Sequence, residues 1–144
     1  VALEGGAFYG YSRPEKKLST TGIGLLCRMY GGWQRSEPSL KKGIAFLSAS
    51  GPNFRDMYST YYATQVLHHW VGDEWTKWNL ATRDELIKSQ VRQGHAAGSW
   101  NPDKVSHGAK GGRLFVTCLA TMTLEVYYRH LPIYHLKEQA DGAK

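Results

Sequence analysis

The chain has 144 residues and a mass of 16.2 kDa. It is 42% hydrophobic and 21% charged, which suits one domain with a core of moderate size and excludes wholesale disorder. No run of about 18 apolar residues occurs, so no membrane-spanning helix is expected. The excess of 18 Lys+Arg over 12 Asp+Glu leaves a net charge of +6. The bases are scattered (Lys16-Lys17, Lys41-Lys42, Arg83, Lys88, Arg92) and not interleaved with aromatics, which argues against a nucleic-acid partner.

The chain begins at Val1 without a signal-peptide pattern, which reads as a processed chain or a piece of a longer one. Residues 1–12, rich in Gly and aromatics, predict an extended or looping segment. Ser19 or Thr20 then caps a first helix whose apolar residues Ile23, Leu25, Leu26 and Met29 are helically spaced, closed by Gly31-Gly32. Ser36-Glu37-Pro38 opens a second, with Ser36 as cap and Leu40, Ile44 and Leu47 as its stripe. A third runs from Arg55 to Val71, with Tyr58, Tyr62, Val66 and His69 on one side, and Gly72-Asp73 breaks it. The adjacent His68 and His69 point apart on a helix, which predicts one packed and one wet. A fourth spans Trp75 to Val91. Residues 93–112 hold five glycines and almost no aliphatic side chain, a long loop for a small domain. Leu114 to Leu131 forms a fifth helix, ended by Pro132, and a polar tail follows over 137–144. Cys27 and Cys118 lie in apolar helical segments with no CxxC spacing, and read as buried thiols. The expected class is all-α.

Three of these helices share a phrase: Ser19 to Leu26, Thr60 to Leu67 and Thr117 to Leu124. Each has a hydroxyl residue and, three positions later, a small one: Gly22, Ala63 or Ala120. The small residue lets a neighbouring helix approach, and the hydroxyl can bond back to a carbonyl one turn up. The spacing leaves room for an intervening helix each time, which predicts an α/α solenoid or toroid with inner and outer helices.

Between the copies stand Gly5-Gly6-Ala7-Phe8-Tyr9-Gly10-Tyr11, Gln90 with Gly98-Ser99-Trp100, and Gly111-Gly112-Arg113. Together with the ending Thr123 to Tyr134, this order resembles the prenyltransferase and squalene-cyclase repeat of the α/α-toroid superfamily, in particular the C-terminal part of bacterial members of unassigned activity. The resemblance covers the chain from Gly5 to Tyr134. It implies a toroid-like domain, or a C-terminal fragment of one, over 1–136. It also implies that Gln90 and Trp100 brace the loop to the next inner helix. A complete ring needs a longer chain, so a protein partner or self-association is expected.

The chemistry of such proteins is not carried over. Cyclases use an Asp-rich motif, whereas the acids here are isolated or paired (Asp73-Glu74, Asp84-Glu85) where helix capping and solvation account for them. Zinc-dependent relatives use an Asp-x-Cys pair, and Val116-Thr117-Cys118 lacks the Asp. His95, Asp103, His107 and Cys118 fit no closed zinc site, neither cysteine stands in a thioester motif, and Ser99 lacks a nucleophile-elbow context. No catalytic residue, metal or cofactor is therefore assigned. The aromatics allow an apolar cavity for a hydrophobic small molecule, with Tyr58, Tyr62, His69, Trp78, Trp100, Arg113 and Tyr127 as its candidate lining. Ordinary core packing also accounts for them and is the favoured reading. The sequence thus reads as a non-catalytic repeat module that binds a protein. The alternatives are one cavity wall of an isoprenoid-processing enzyme, or a hydrophobic-ligand carrier.

Overall fold

Near the N-terminus, Ala2–Leu3 (β1) pairs antiparallel with Phe8–Tyr9 (β2), joined by a 3-10 turn over Glu4–Gly6. Glu4 anchors this small hairpin through ion pairs to Lys16 at 2.8 Å and to Lys42. The computed structural model describes residues 1–134; the expected tail over 137–144 lies outside them. Beyond the hairpin the described residues are helical: α1 is Leu18–Tyr30, α2 Pro38–Ser50, α3 Met57–Trp70, α4 Asp73–Ser89, α5 Gly108–Leu124 and α6 Val126–Arg129. The fold is all-α.

Helices α1, α3 and α5 lie side by side, with α3 in the middle; α2 rests on α1 and α3, and α4 on α3 and α5. The alternation follows from the sequence pattern. Leu25, Leu26 and Met29 of α1 meet Leu40, Ile44 and Leu47 of α2 and Val66 and Leu67 of α3 in one core. Met57 of α3, Leu86 of α4 and Val116, Leu119 and Ala120 of α5 form a second, closed by Trp100. Each fully buried Leu or Ile contributes about 1.5–3 kcal/mol of transfer free energy.

The small residues act where expected between α1 and α3. A Cβ on Gly22 would stand 3.2 Å from Tyr62 Cβ and 3.3 Å from the Ala63 nitrogen, so the backbones approach as closely as a missing side chain allows. Ala63 and Ala120 are buried.

Helix α3 is buried on nearly every side, polar residues included. The single stripe expected from Tyr58, Tyr62, Val66 and His69 is therefore too narrow. Its polar side chains are tolerated because they find partners. Asp56 caps the helix by accepting from the Ser59 amide at 3.1 Å. Thr64 donates to the Thr60 carbonyl at 2.7 Å and accepts from the Trp78 indole at 2.9 Å.

Several local expectations are corrected. Ser19 and Thr20 do not cap α1; Lys17 occupies that position and gives no side-chain bond. Ser36 does not cap α2, because Pro38 takes the first helical position and leaves Glu37 as the flanking residue. The last helix begins six residues early, at Gly108, with a break at Gly112 (φ 67°), a conformation a glycine adopts without strain. It stops at Leu124 instead of continuing to Leu131. Both cysteines are exposed: Cys118 lies one turn beyond exposed Leu114, on the side of α5 away from the core, and Cys27 lies between the core-facing Leu26 and Met29.

Candidate functional site

The shared phrase does a job other than back-bonding. In two copies the phrase's own hydroxyl receives a backbone N–H from the segment preceding its helix, Asn53 donating to Thr60 at 3.0 Å and Trp100 to Thr117 at 3.3 Å; in the first copy Thr21, two positions after Ser19, accepts from Tyr9 at 3.0 Å. Thr20 and Thr60 also donate to the carbonyls of Tyr9 and Asn53, at 2.5 and 2.9 Å. Each clamp satisfies backbone groups that no helix reaches. Back-bonding to a carbonyl one turn up occurs instead at Thr64 and Thr123.

The long loop is organised by the last clamp. Val91 donates to Ser99 at 2.9 Å and Gly98 donates to Val91 at 2.8 Å, which closes residues 91–99 into a compact loop. Gln90 Nε2 donates to the Gly98 carbonyl at 3.1 Å, and Trp100 Nε1 to the Leu86 carbonyl at 2.9 Å. Arg113 donates to Ser99 Oγ at 3.2 Å. The Ser106 amide donates to the Arg55 carbonyl at 2.6 Å and ties the second half of the loop to the start of α3.

This bracing opens a cleft of about 390 Å³ between α4, the loop, and the end of α5 with α6. Asn79, Arg83, Ile87 and Gln90 face it from α4 and its C-terminal end; Trp100 comes from the loop, and Leu124, Glu125, Tyr127 and Tyr128 from the other wall. The Tyr127 and Tyr128 rings stand 4.3 Å apart. Their hydrogen bond raises the Tyr127 phenol above its ordinary value, against the pull of Arg83. Arg83 itself pairs with Asp84 at 3.0 Å on the surface. The walls are mixed in polarity, and Glu125 and Arg83 are exposed.

Of the seven sequence candidates, Trp100 and Tyr127 line this cleft. Trp78 is a core residue bonded to Thr64, and Arg113 is spent on the loop. Tyr58 and Tyr62 pack edge to face at 4.8 Å on the partly exposed side of α3, where their hydrogen bond and burial push the Tyr62 phenol up to about 12. The structure therefore does not gather the seven around one cavity. Asn79, Arg83 and Glu125 were not singled out from sequence, although Asn79, Arg83, Ile87 and Gln90 recur at helical spacing along one face of α4.

His69 lies in a different place, at the far end of α3. Both His68 and His69 are buried, contrary to the expectation of one packed and one wet. Segment 130–134 folds back over α3 and covers them. His68 Nε2 faces the His130 carbonyl at 2.8 Å, and the Ile133 amide donates to His69 Nδ1 at 3.4 Å. His69 Nε2 faces the Tyr30 hydroxyl at 3.1 Å. Burial lowers the pKa of both rings, that of His69 to about 4. No cluster of side chains suited to a metal ion occurs among the described residues, and no helix among them is long and apolar enough to cross a membrane.

Comparison with family models, with curated proteins and with solved structures finds no match to this chain. What the fold defines is an all-α protein in which α2 packs on α1 and α3, and α4 on α3 and α5.

Proposed function

We propose that the chain is a non-catalytic repeat module of the α/α-toroid kind that works by binding protein, either a partner or a second copy of itself. The observation that supports this reading is that each of α1, α3 and α5 is tied to its preceding segment through a threonine hydroxyl, at the same phrase position in α3 and α5 and two positions later in α1. Helix α5 stands at one end of the three side-by-side helices and presents Leu114, 76% exposed, next to Cys118 on its outer side. Such an edge, with no neighbour of its own kind among the described residues, is a surface for association.

A non-catalytic role is supported by where the titratable groups stand. The perturbed histidines face a carbonyl, an amide and a phenol, an arrangement that holds a segment in place. The test is the molar mass in solution by light scattering across a concentration series, for the protein and for Leu114→Glu. Concentration-dependent association that Leu114→Glu abolishes is the expected result. Association unaffected by Leu114→Glu would place the contact elsewhere, and a strict monomer in both would rule out self-association.

A further inference from the structure

Segment 130–134 is held against the end of α3 by contacts to two buried histidines, one of which, at His69, requires a neutral ring. Tyr134, 2% exposed, donates from its hydroxyl to the Trp33 carbonyl at 2.7 Å and sets its ring edge-on to Trp70 at 6.1 Å. The remaining polar ties are the His130 carbonyl on His68 and the Ile133 amide on His69. The partners fix the tautomers. A carbonyl facing His68 Nε2 requires the proton there, leaving Nδ1 as the atom that accepts the next one. An amide N–H facing His69 Nδ1 requires a lone pair there, so the ring proton sits on Nε2 against the Tyr30 oxygen.

Each ring can therefore gain a proton only at Nδ1, and both positions are hostile to it. His68 Nδ1 is buried without a hydrogen-bond partner among the described residues, so an N–H⁺ there would find no acceptor among them. His69 Nδ1 would confront the Ile133 N–H with a second donor. The rings are also close to one another: His68 to His69 at 5.7 Å and His69 to His130 at 5.8 Å. Among the described groups acting on them, α3 adds Tyr61 beside Tyr30, α1 adds Tyr30 itself, and α4 adds only the Trp75 ring, edge-on to His68. Arg129 acts on His130 from the end of α6, and Arg35 lies over Trp70 near Tyr134. Among the described residues no carboxylate acts on any of the three histidines, and the His130 carbonyl on His68 is the contact that favours a charged ring.

We infer that segment 130–134 is an acid-released strap, in which protonation at His69 Nδ1 removes the acceptor of the Ile133 N–H, and the positive charge then buried at the seam frees Tyr134, Trp33 and Trp70 to solvent. Each proton taken up on opening shifts the equilibrium toward the open state by up to tenfold per pH unit over the range where the closed ring resists protonation.

The experiment is an NMR titration of the whole chain from pH 7.5 to 4, following the Ile133 amide and the Trp33 and Trp70 indoles, with helical content read by circular dichroism. The expected result is a shared transition between pH 6.5 and 4 with helical content retained. In His68→Gln with His69→Asn, whose amides replace the neutral-ring contacts and do not titrate, the transition should vanish. Three results would overturn the inference: a strap still docked at pH 4, release only together with loss of helix, or release of the double variant at the wild-type pH. If the double variant does not fold at pH 7.5, the wild-type titration alone decides between the first two and the strap.

Discussion

Gly22 and Ala63 touch backbone to backbone, with the position of a Gly22 Cβ only 3.3 Å from the Ala63 nitrogen. That contact sets the separation of α1 and α3 and hence the shape of the core between them. Gly22→Leu should overfill it at a cost of about 1–3 kcal/mol, a fall in Tm of roughly 4 °C per kcal/mol for a chain of this size. Ala63→Leu should behave alike. Thermal melts that leave both variants at the wild-type Tm would contradict close packing of these helices.

The clamps make a second prediction. Thr60 both accepts from and donates to Asn53, whereas Thr117 accepts one longer bond from Trp100. Thr60→Val keeps the shape and strands an amide and a carbonyl, at a cost of about 1–2 kcal/mol. Thr117→Val should cost less. Chemical denaturation of both measures the difference, and the reverse order would argue against the clamp as a stabilising device.

Trp100 is expected to matter through its indole nitrogen as well as its bulk. Trp100→Phe retains most of the buried ring and leaves the Leu86 carbonyl without its 2.9 Å donor, costing about 1–2 kcal/mol. Trp100→Ala should cost about 3–5 kcal/mol and loosen residues 91–99. Hydrogen exchange at the Gly98 amide, bonded to Val91, should accelerate in the alanine variant and change little in the phenylalanine one.

Stability should fall on acidification because of His69. Its folded pKa is lowered to about 4 from 6.5, so between these values the unfolded chain binds the extra proton and the folded one does not. The contribution is complete above pH 6.5, declines as pH falls toward 4, and declines no further below that. Melts in this window should show Tm dropping by several degrees, on the order of 4 °C per kcal/mol. A Tm independent of pH across it would show that His69 is not held neutral.

Much of this arrangement is legible in the sequence, since the spacing of Leu25, Leu26 and Met29, of Leu40, Ile44 and Leu47, and of the hydroxyl–small phrase already requires packed helices with close contacts. Helix α3 is the exception. Periodicity marks a helix with one apolar face, but α3 is enclosed on several sides, and its Thr60, Thr64 and His68 are accepted inside because distant groups such as Asn53, Trp78 and His130 complete their hydrogen bonds. Those partners lie far along the chain, beyond the reach of local pattern. Cys27 and Cys118 were misplaced for the converse reason: neighbours in an apolar run share a helix, not a face. The cleft was legible only through Gln90, Trp100 and Tyr127, because the rest of its α4 wall includes Asn79 and Arg83, which alone resemble any solvated helix surface.

The most direct measurement of the central claim is native mass spectrometry of the chain as purified. A protein-binding module predicts bare chain, alone or self-associated, with no small molecule retained. A retained mass of lipid size would contradict that reading and make the chain a carrier or one wall of a hydrophobic cavity.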